Sequence, residues 1–260
     1  MPADRLASES IRATTLLPLL LALALTACGA SKPELPGKIA LLAPFEGQYR
    51  EIGYNSLYAV RLAFSDAKPQ NVQLLAVDDG GTPASAVARI KALNVDPAVA
   101  AVIALGPDAT HPSAQMANDK PLILIGNWGH DRAAEESFYA ANPDQTMARQ
   151  SGDLHMLVQA RALEDVPESI SFISSGGLPD ANFRERYLNS AMYAPAPNLL
   201  ATLTYDVARL ALSALEDGKT ISATEYRGLN GPIRFEDGYW VDAPLNRYRY
   251  DGDQLVRATD

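Results

Sequence analysis

Between Lys38 and Ile125 short apolar runs alternate with stretches of helical periodicity, and few folds accommodate that alternation. Lys38 to Ala43 is an apolar run closed by Pro44 and reads as a buried strand. Leu57, Val60 and Phe64 follow at i, i+3 and i+7, placing an amphipathic helix over 52–67. Val72 to Val77 reads as a second strand, closed by Asp78-Asp79-Gly80-Gly81. Thr82-Pro83 then starts a helix, because a threonine hydroxyl satisfies free amides and proline suits the first helical position. Val87 and Ile90 give that helix a buried stripe. Val99 to Leu105 is a third strand, Pro112 to Asn118 a short helix, and Leu122 to Ile125 a fourth strand. The pattern predicts an α/β protein whose residues 38–126 form a parallel sheet in flavodoxin-like order, with helices on both faces.

The N-terminal segment is of another kind. Arg5 and Arg12 precede a run rich in leucine and alanine, uncharged from Ala13 to Ser31, and Cys28 is the single cysteine of the chain. A positive start, a short apolar middle and a small-residue exit describe a secretory signal. A run of this length could also span a bilayer as an uncleaved anchor, or belong to a plain secreted protein. Pro18 within the run, an apolar core confined to Leu16–Leu25, and Cys28 at the cleavage position favour a processed signal. Leu25-Thr26-Ala27-Cys28 resembles the lipobox of bacterial lipoproteins, in which the cysteine is lipidated and becomes the new N-terminus. The resemblance implies a signal peptide over 1–27, a tether over 28–37, and a protein lipid-anchored at Cys28 in the cell envelope, on its extracytoplasmic side. Two prolines between Ser31 and Gly37 suit an extended tether. With Cys28 lipidated, no thiol remains for a disulfide, redox chemistry or a cysteine-based metal site.

Composition narrows the function. The net charge is −9 and no basic block occurs, so no nucleic-acid partner is expected. His111, His130 and His155 have no spacing that pairs two of them for zinc. The sequence has neither a Gly-x-Ser-x-Gly elbow nor a phosphate-cradling glycine loop. Asp78-Asp79 at a strand end lacks the lysine motif of a metal-dependent phosphoryl site. Neither an enzyme nor a bound cofactor or metal is expected.

Several motifs resemble, in order, those of the type I periplasmic-binding-protein family, in its branched-chain amino-acid-binding branch of ABC-transporter receptors. They are Ile39-Ala-Leu-Leu-Ala-Pro44 with Gly47, Ile52-Gly53 and Ala63; Asp78-Asp-Gly-Gly-Thr-Pro83 with Ala86 to Ala88; and Asp96-Pro97 before Val102-Ile-Ala-Leu-Gly-Pro107. Lys120-Pro-Leu-Ile-Leu-Ile125 resembles the strand that ends the family's first lobe. Phe183 to Tyr187 and Thr204 to Leu210 resemble two late helices, the second made amphipathic by Leu200, Leu203, Val207 and Leu210. Gly231 to Phe235 and Tyr248 to Val256 resemble closing strands, with Asp237-Gly238 and Asp251-Gly252 as turns. Between these parts only a helical pattern over 143–163 (Met147, Leu154, Leu157, Val158) and a strand over Ser169 to Ser174 remain. The expected organisation is a first α/β lobe over 38–130 and a reduced second-lobe segment over 131–176, set against the first lobe. The C-terminal helices and closing strands over 177–260 would be shared with that first lobe.

Ligands in open parallel sheets sit beyond the carboxyl ends of the strands, near the topological switch point. Four loops occupy that edge: Glu46-Gly47-Gln48-Tyr49, Asp78-Asp79-Gly80, Asp108-Ala109-Thr110 and Asn127-Trp128-Gly129. The family resemblance implies that the third and fourth hold a ligand's carboxylate and ammonium groups. Thr110 offers a hydroxyl, whereas Asp108 would repel a carboxylate. Asp78 and Asp79 also suit a structural role before a helix. Trp128, if exposed, gives a stacking face; otherwise it packs as core. The ligand-binding candidates are Gln48, Tyr49, Asp78, Thr110, Asn127 and Trp128. Together these imply a membrane-tethered solute-binding protein that delivers a small polar, amino-acid-like ligand from a shallow interlobe cleft to an ABC permease. The alternative is a receptor-like lipoprotein that acts as an envelope regulator or scaffold without small-molecule transport.

Overall fold

The computed structural model describes residues 36–141, 171–252 and 254–258. In chain order the first part contains β1 (Gly37–Ala43), α1 (Arg50–Ala67), β2 (Val72–Asp78), α2 (Pro83–Val95), β3 (Val99–Leu105), α3 (Pro112–Met116), β4 (Leu122–Ile125) and β5 (Ser137–Ala140). The second contains β6 (Phe172–Ser174), α4 (Ala181–Asn189), α5 (Leu199–Glu216), β7 (Tyr226–Gly228), β8 (Gly231–Ile233), β9 (Phe235–Glu236), β10 (Tyr239–Trp240), β11 (Asn246–Asp251) and β12 (Gln254–Arg257). Cys28 and the helix expected over 143–163 lie outside the described residues.

The four expected strands pair in parallel in the order β2-β1-β3-β4, with the helices as crossovers. The main sheet then runs past residue 130. β5 pairs with β4 in parallel, β10 with β5 in parallel, and β9 closes the far edge antiparallel to β10. The β9–β10 turn is Asp237-Gly238, both at positive φ, as a tight hairpin requires. β6 pairs antiparallel with β11, which pairs with β12 in a separate three-stranded sheet. β7 and β8 form a two-stranded ribbon.

Side chains alternate across each central strand, so both faces of the sheet carry a core. Ile39, Leu41, Ile103, Leu105, Ile123 and Ile125 face α1 and α5. Ala40, Leu42, Val102, Ala104, Leu122 and Leu124 face α2 and α3, meeting Ala86, Ile90 and Ala114. Thr82 caps α2 as its sequence suggests, with Oγ1 accepting from Ser85 N at 3.1 Å. Gly53 in α1 passes under the end of β1, where a Cβ would lie 1.8 Å from Pro44 O; glycine alone permits that approach.

α5 departs from its expected amphipathic form. Leu200, Leu203, Val207 and Leu210 are buried as predicted, but so are Thr202, Thr204, Tyr205 and Asp206. The helix is enclosed because α1, the sheet and the β7–β8 ribbon all pack around it. Its polar groups are satisfied one by one. Thr204 Oγ1 donates to Ser56 Oγ at 3.1 Å, and Thr202 Oγ1 to Gly177 O at 2.7 Å. Asp206 accepts from Leu229 N, Asn230 N and Asn230 Nδ2, which fixes the β7–β8 turn. Asn55 joins three elements: its Nδ2 donates to Ala196 O, its Oδ1 accepts from Asn198 N, and its carbonyl accepts from Tyr187 OH. Among the described residues no helix is long and apolar enough to cross a membrane.

Candidate functional site

β1 lies between β2 and β3, so the chain leaves β1 toward one side of the sheet and returns to β3 on the other. The loops after β1 and β3 therefore diverge at the carboxyl edge, the place where open parallel sheets form their ligand crevice. Asp78 holds the first of these loops. Its Oδ2 accepts from Phe45 N at 2.7 Å and its Oδ1 from Gly80 N at 2.8 Å. Both oxygens are engaged by backbone, which fits the structural role for this residue. Gln48 is exposed on the 3₁₀ turn Gly47–Tyr49. Tyr49 is half-buried, with its ring edge-on to Trp128 at 6.4 Å.

The loops after β3 and β4 are stitched to each other. Thr110 is 3% exposed, and its hydroxyl turns back to donate to Gly106 O at 2.8 Å. Buried Gln115 donates to Thr110 O and Asp131 O, both at 2.9 Å, and accepts from Ala133 N at 2.7 Å. The His111 and His130 rings meet edge to face at 5.0 Å, and His130 Nε2 lies 3.1 Å from Pro107 O. Asn127 Oδ1 accepts from Gly129 N at 3.0 Å and rigidifies the fourth loop. Trp128 is 2% exposed and packs as core, with Nε1 donating to Ile125 O at 2.7 Å. The stacking face expected of an exposed tryptophan is therefore not offered to solvent. Its indole covers the apolar end of β4, and its one polar atom is satisfied by the strand it follows.

Asp79 lies deepest among the acidic groups of this edge, at 1% exposure. Its backbone N donates to Ala43 O at 3.1 Å and its Oδ1 accepts from Gly81 N at 2.9 Å. Its Oδ2 accepts no hydrogen bond from any described residue. Burial pushes this carboxyl up to about 6; the Gly81 amide opposes the rise, and the negative charges of Asp108 and Asp78 add to it. An ionised oxygen held this way is costly unless a cation or proton meets it. Among the described residues no group of three or more His, Cys, Asp and Glu side chains is placed to hold a metal.

A cavity of about 640 Å³ opens at the opposite, amino edge, over Ile39, Ala101, Pro121, Leu215 and Ile221. Its two cations are already engaged, Arg132 by Ser137 O and Glu135 O, and Lys219 by Asp217. The switch-point edge is the better candidate, because four strand-end loops border it and the buried Asp79 Oδ2 there accepts no hydrogen bond from any described residue. Of the residues singled out from sequence, Tyr49 and Trp128 meet directly, and Gln48 is the one most open to solvent. Gln115 was not singled out; a buried polar side chain on a short helix gives no periodic signal.

No protein-family model matches the sequence, and no curated protein does. Solved structures do. An ABC transporter substrate-binding protein from Desulfitobacterium hafniense in complex with leucine aligns at TM-score 0.62 and 14% identity, over 85% of this chain and 99% of its own. A solute-binding protein of an R. palustris ABC transporter, in complex with benzoate, aligns at TM-score 0.60 and 13% identity, over 85% and 94%. The branched-chain amino acid transporter substrate-binding protein of Streptococcus pneumoniae, in complex with isoleucine, aligns at TM-score 0.59 and 15% identity, over 85% and 99%. The strand order, the crossovers and these alignments agree: the chain has the type I periplasmic-binding-protein fold.

Proposed function

We propose that the protein is an extracytoplasmic solute-binding protein, tethered to the membrane through a lipid on Cys28. It would bind a small polar ligand at the switch-point crevice and hand it to an ABC permease. The observation that carries this reading is the alignment over nearly the whole of chains that hold leucine, isoleucine or benzoate. The loops after β1, β3 and β4 give the ligand a rigid frame, with Gln48 and Tyr49 on its outer wall. The fold serves binding rather than catalysis: affinity comes from burying a ligand among converging polar groups. No nucleic acid takes part.

The test is a thermal-stability screen of the soluble mature chain against amino acids, amides, amines, nucleosides and sugars. A solute present at a hundredfold its Kd adds about 2.7 kcal/mol to native stability. For a chain of this size that is a rise of roughly 5–10 °C. No shift with any solute refutes the reading and leaves the envelope regulator or scaffold.

A further inference from the structure

We propose that the cavity at the amino edge of the main sheet is a binding site in its own right, taking a small carboxylate with an apolar body and pairing its charge with Arg132. The site lies at the opposite edge from the loops of the solute-binding reading and does not depend on that reading. The cavity holds about 640 Å³, within the range of small-molecule pockets. It is bounded by the amino ends of the central strands and by the last turn of α5. Ile39, Ala101 and Phe138 line it from the sheet, Leu215 from the helix, and Ile221 from just beyond the helix. These side chains make an apolar floor, from which an apolar ligand body would displace water.

Arg132 is the fixed charge of this cavity. Its Nε donates to Ser137 O at 2.7 Å and its Nη2 to Glu135 O at 2.6 Å. A Cβ on Gly238 would overlap Nε and Cζ, so the guanidinium lies against the β9–β10 turn where glycine alone leaves room. Backbone thus sets its place without offsetting its charge. Among the described residues no carboxylate oxygen lies within ion-pair distance of the guanidinium, and Nη1 donates to none of them. Asp131, the preceding residue, has its Oδ1 engaged by Arg132 N and Tyr239 OH. Lys219, the other cation of the cavity, is paired with Asp217 at 2.7 Å.

A carboxylate suits Arg132 because the donors left on Nη1 and Nη2 form a planar fork that matches two carboxylate oxygens. The side chain is already held, so little of its freedom is lost when a ligand engages it. Glu135, Glu136 and Asp237 also line the cavity with the opposite charge, but all three are exposed. Water and salt screen such rim charges more than that of half-buried Arg132. They weaken the binding of an anion without reversing the preference. The end of α5 calls for no cation either, because Ser213 O, Ala214 O and Leu215 O accept from Asp217 N, Lys219 N and Gly218 N. Recognition therefore needs both parts of the ligand, the charge for Arg132 and the apolar body for the floor.

Four probes separate the charge from the apolar body: 3-phenylpropanoate, 3-phenylpropylamine, 3-phenylpropan-1-ol and propanoate. Each is titrated by calorimetry into the mature chain and into Arg132→Gln and Arg132→Lys, at neutral pH. The expected result is binding of 3-phenylpropanoate, with weaker heat or none from the other three. Arg132→Gln should lower its affinity by about tenfold to a hundredfold, the usual effect of losing a hydrogen bond to a charged group. Arg132→Lys keeps the charge but not the fork, and its affinity should fall between the two. Both variants disturb the bonds to Ser137 O and Glu135 O, so a Glu135→Gln/Glu136→Gln double variant provides a test that leaves Arg132 and the backbone in place. Removing those rim charges should tighten 3-phenylpropanoate binding by about twofold to fivefold. Preference for the amine or the alcohol, affinity unaltered in Arg132→Gln, no tightening in the double variant, or no binding of any probe overturns the proposal.

Discussion

Asp79→Asn should make the ligand-free protein more stable at neutral pH, although it replaces a native residue in a buried position. The folded chain raises this carboxyl from its ordinary 3.8 to about 6, chiefly through burial. A group whose proton affinity is higher in the folded state contributes stability that is full below the unfolded value and is lost as pH rises through the folded one. At neutral pH the fold therefore bears the cost of an ionised, half-satisfied carboxylate. A tenfold change in proton affinity corresponds to about 1.4 kcal/mol, so the ceiling is about 3 kcal/mol. Screening near the sheet rim and the unpaired amide of the new asparagine reduce that to roughly 1–2 kcal/mol. Urea unfolding at about pH 4 and about pH 7.5 reads the effect as a shift in midpoint with an unchanged slope. The variant should gain at the higher pH and show little gain at the lower one. A variant less stable at both, or a gain independent of pH, refutes this account of the Asp79 environment.

Asp206→Ala should cost about 2–4 kcal/mol, because three donors at the β7–β8 turn lose their acceptor; urea midpoints measure it, and a near-neutral change would reject the turn's dependence on α5. Asn55→Ala should cost about 2–3 kcal/mol through loss of the link from α1 to Ala196 and Asn198, read in the same assay. Trp128→Ala should lower stability by about 3–5 kcal/mol, and any loss of ligand affinity should accompany a lower melting temperature rather than occur alone. Cys28→Ala should release the protein into the soluble fraction or leave it unprocessed; mass spectrometry finding an unmodified, uncleaved Cys28 in membranes would refute the lipid anchor.

The central strands were legible in the sequence because a strand buried on both faces must be apolar throughout, and 39–43, 99–105 and 122–125 are. Thr82-Pro83 and Asp237-Gly238 were legible because their backbone geometry demands those residue types. β5 was not: Ser137-Phe138-Tyr139-Ala140 is too short for a periodic signal, and its partner β10 comes from a hundred residues later in the chain. The apolar stripe of α5 is legible, but its full enclosure is not, because Thr202, Thr204 and Asp206 look like a solvent face until their distant partners are known. The two adjacent aspartates of the second loop are equivalent as text. Extended backbone sends consecutive side chains to opposite sides, so Asp78 ties the β1 loop and Asp79 lies beneath Gly106. Trp128 could be read either way, and the bond to Ile125 O decides for the core.

The enclosed position of α5 has a kinetic consequence. Asn55 bonds to a residue 143 positions away and Ser56 to one 148 away, and without α5 the face that it shares with α1 is only partly covered. The strand-helix units made first thus cannot finish folding until residues 199–216 have been synthesised. Closing so long a loop precedes any reward from the contacts it brings, which slows folding. Through synthesis the Ile103 and Ile123 part of that face lacks the cover of α5, and a chain truncated before α5 is expected to aggregate rather than fold. Completion of this core is therefore expected late in synthesis, with the arrival of one helix.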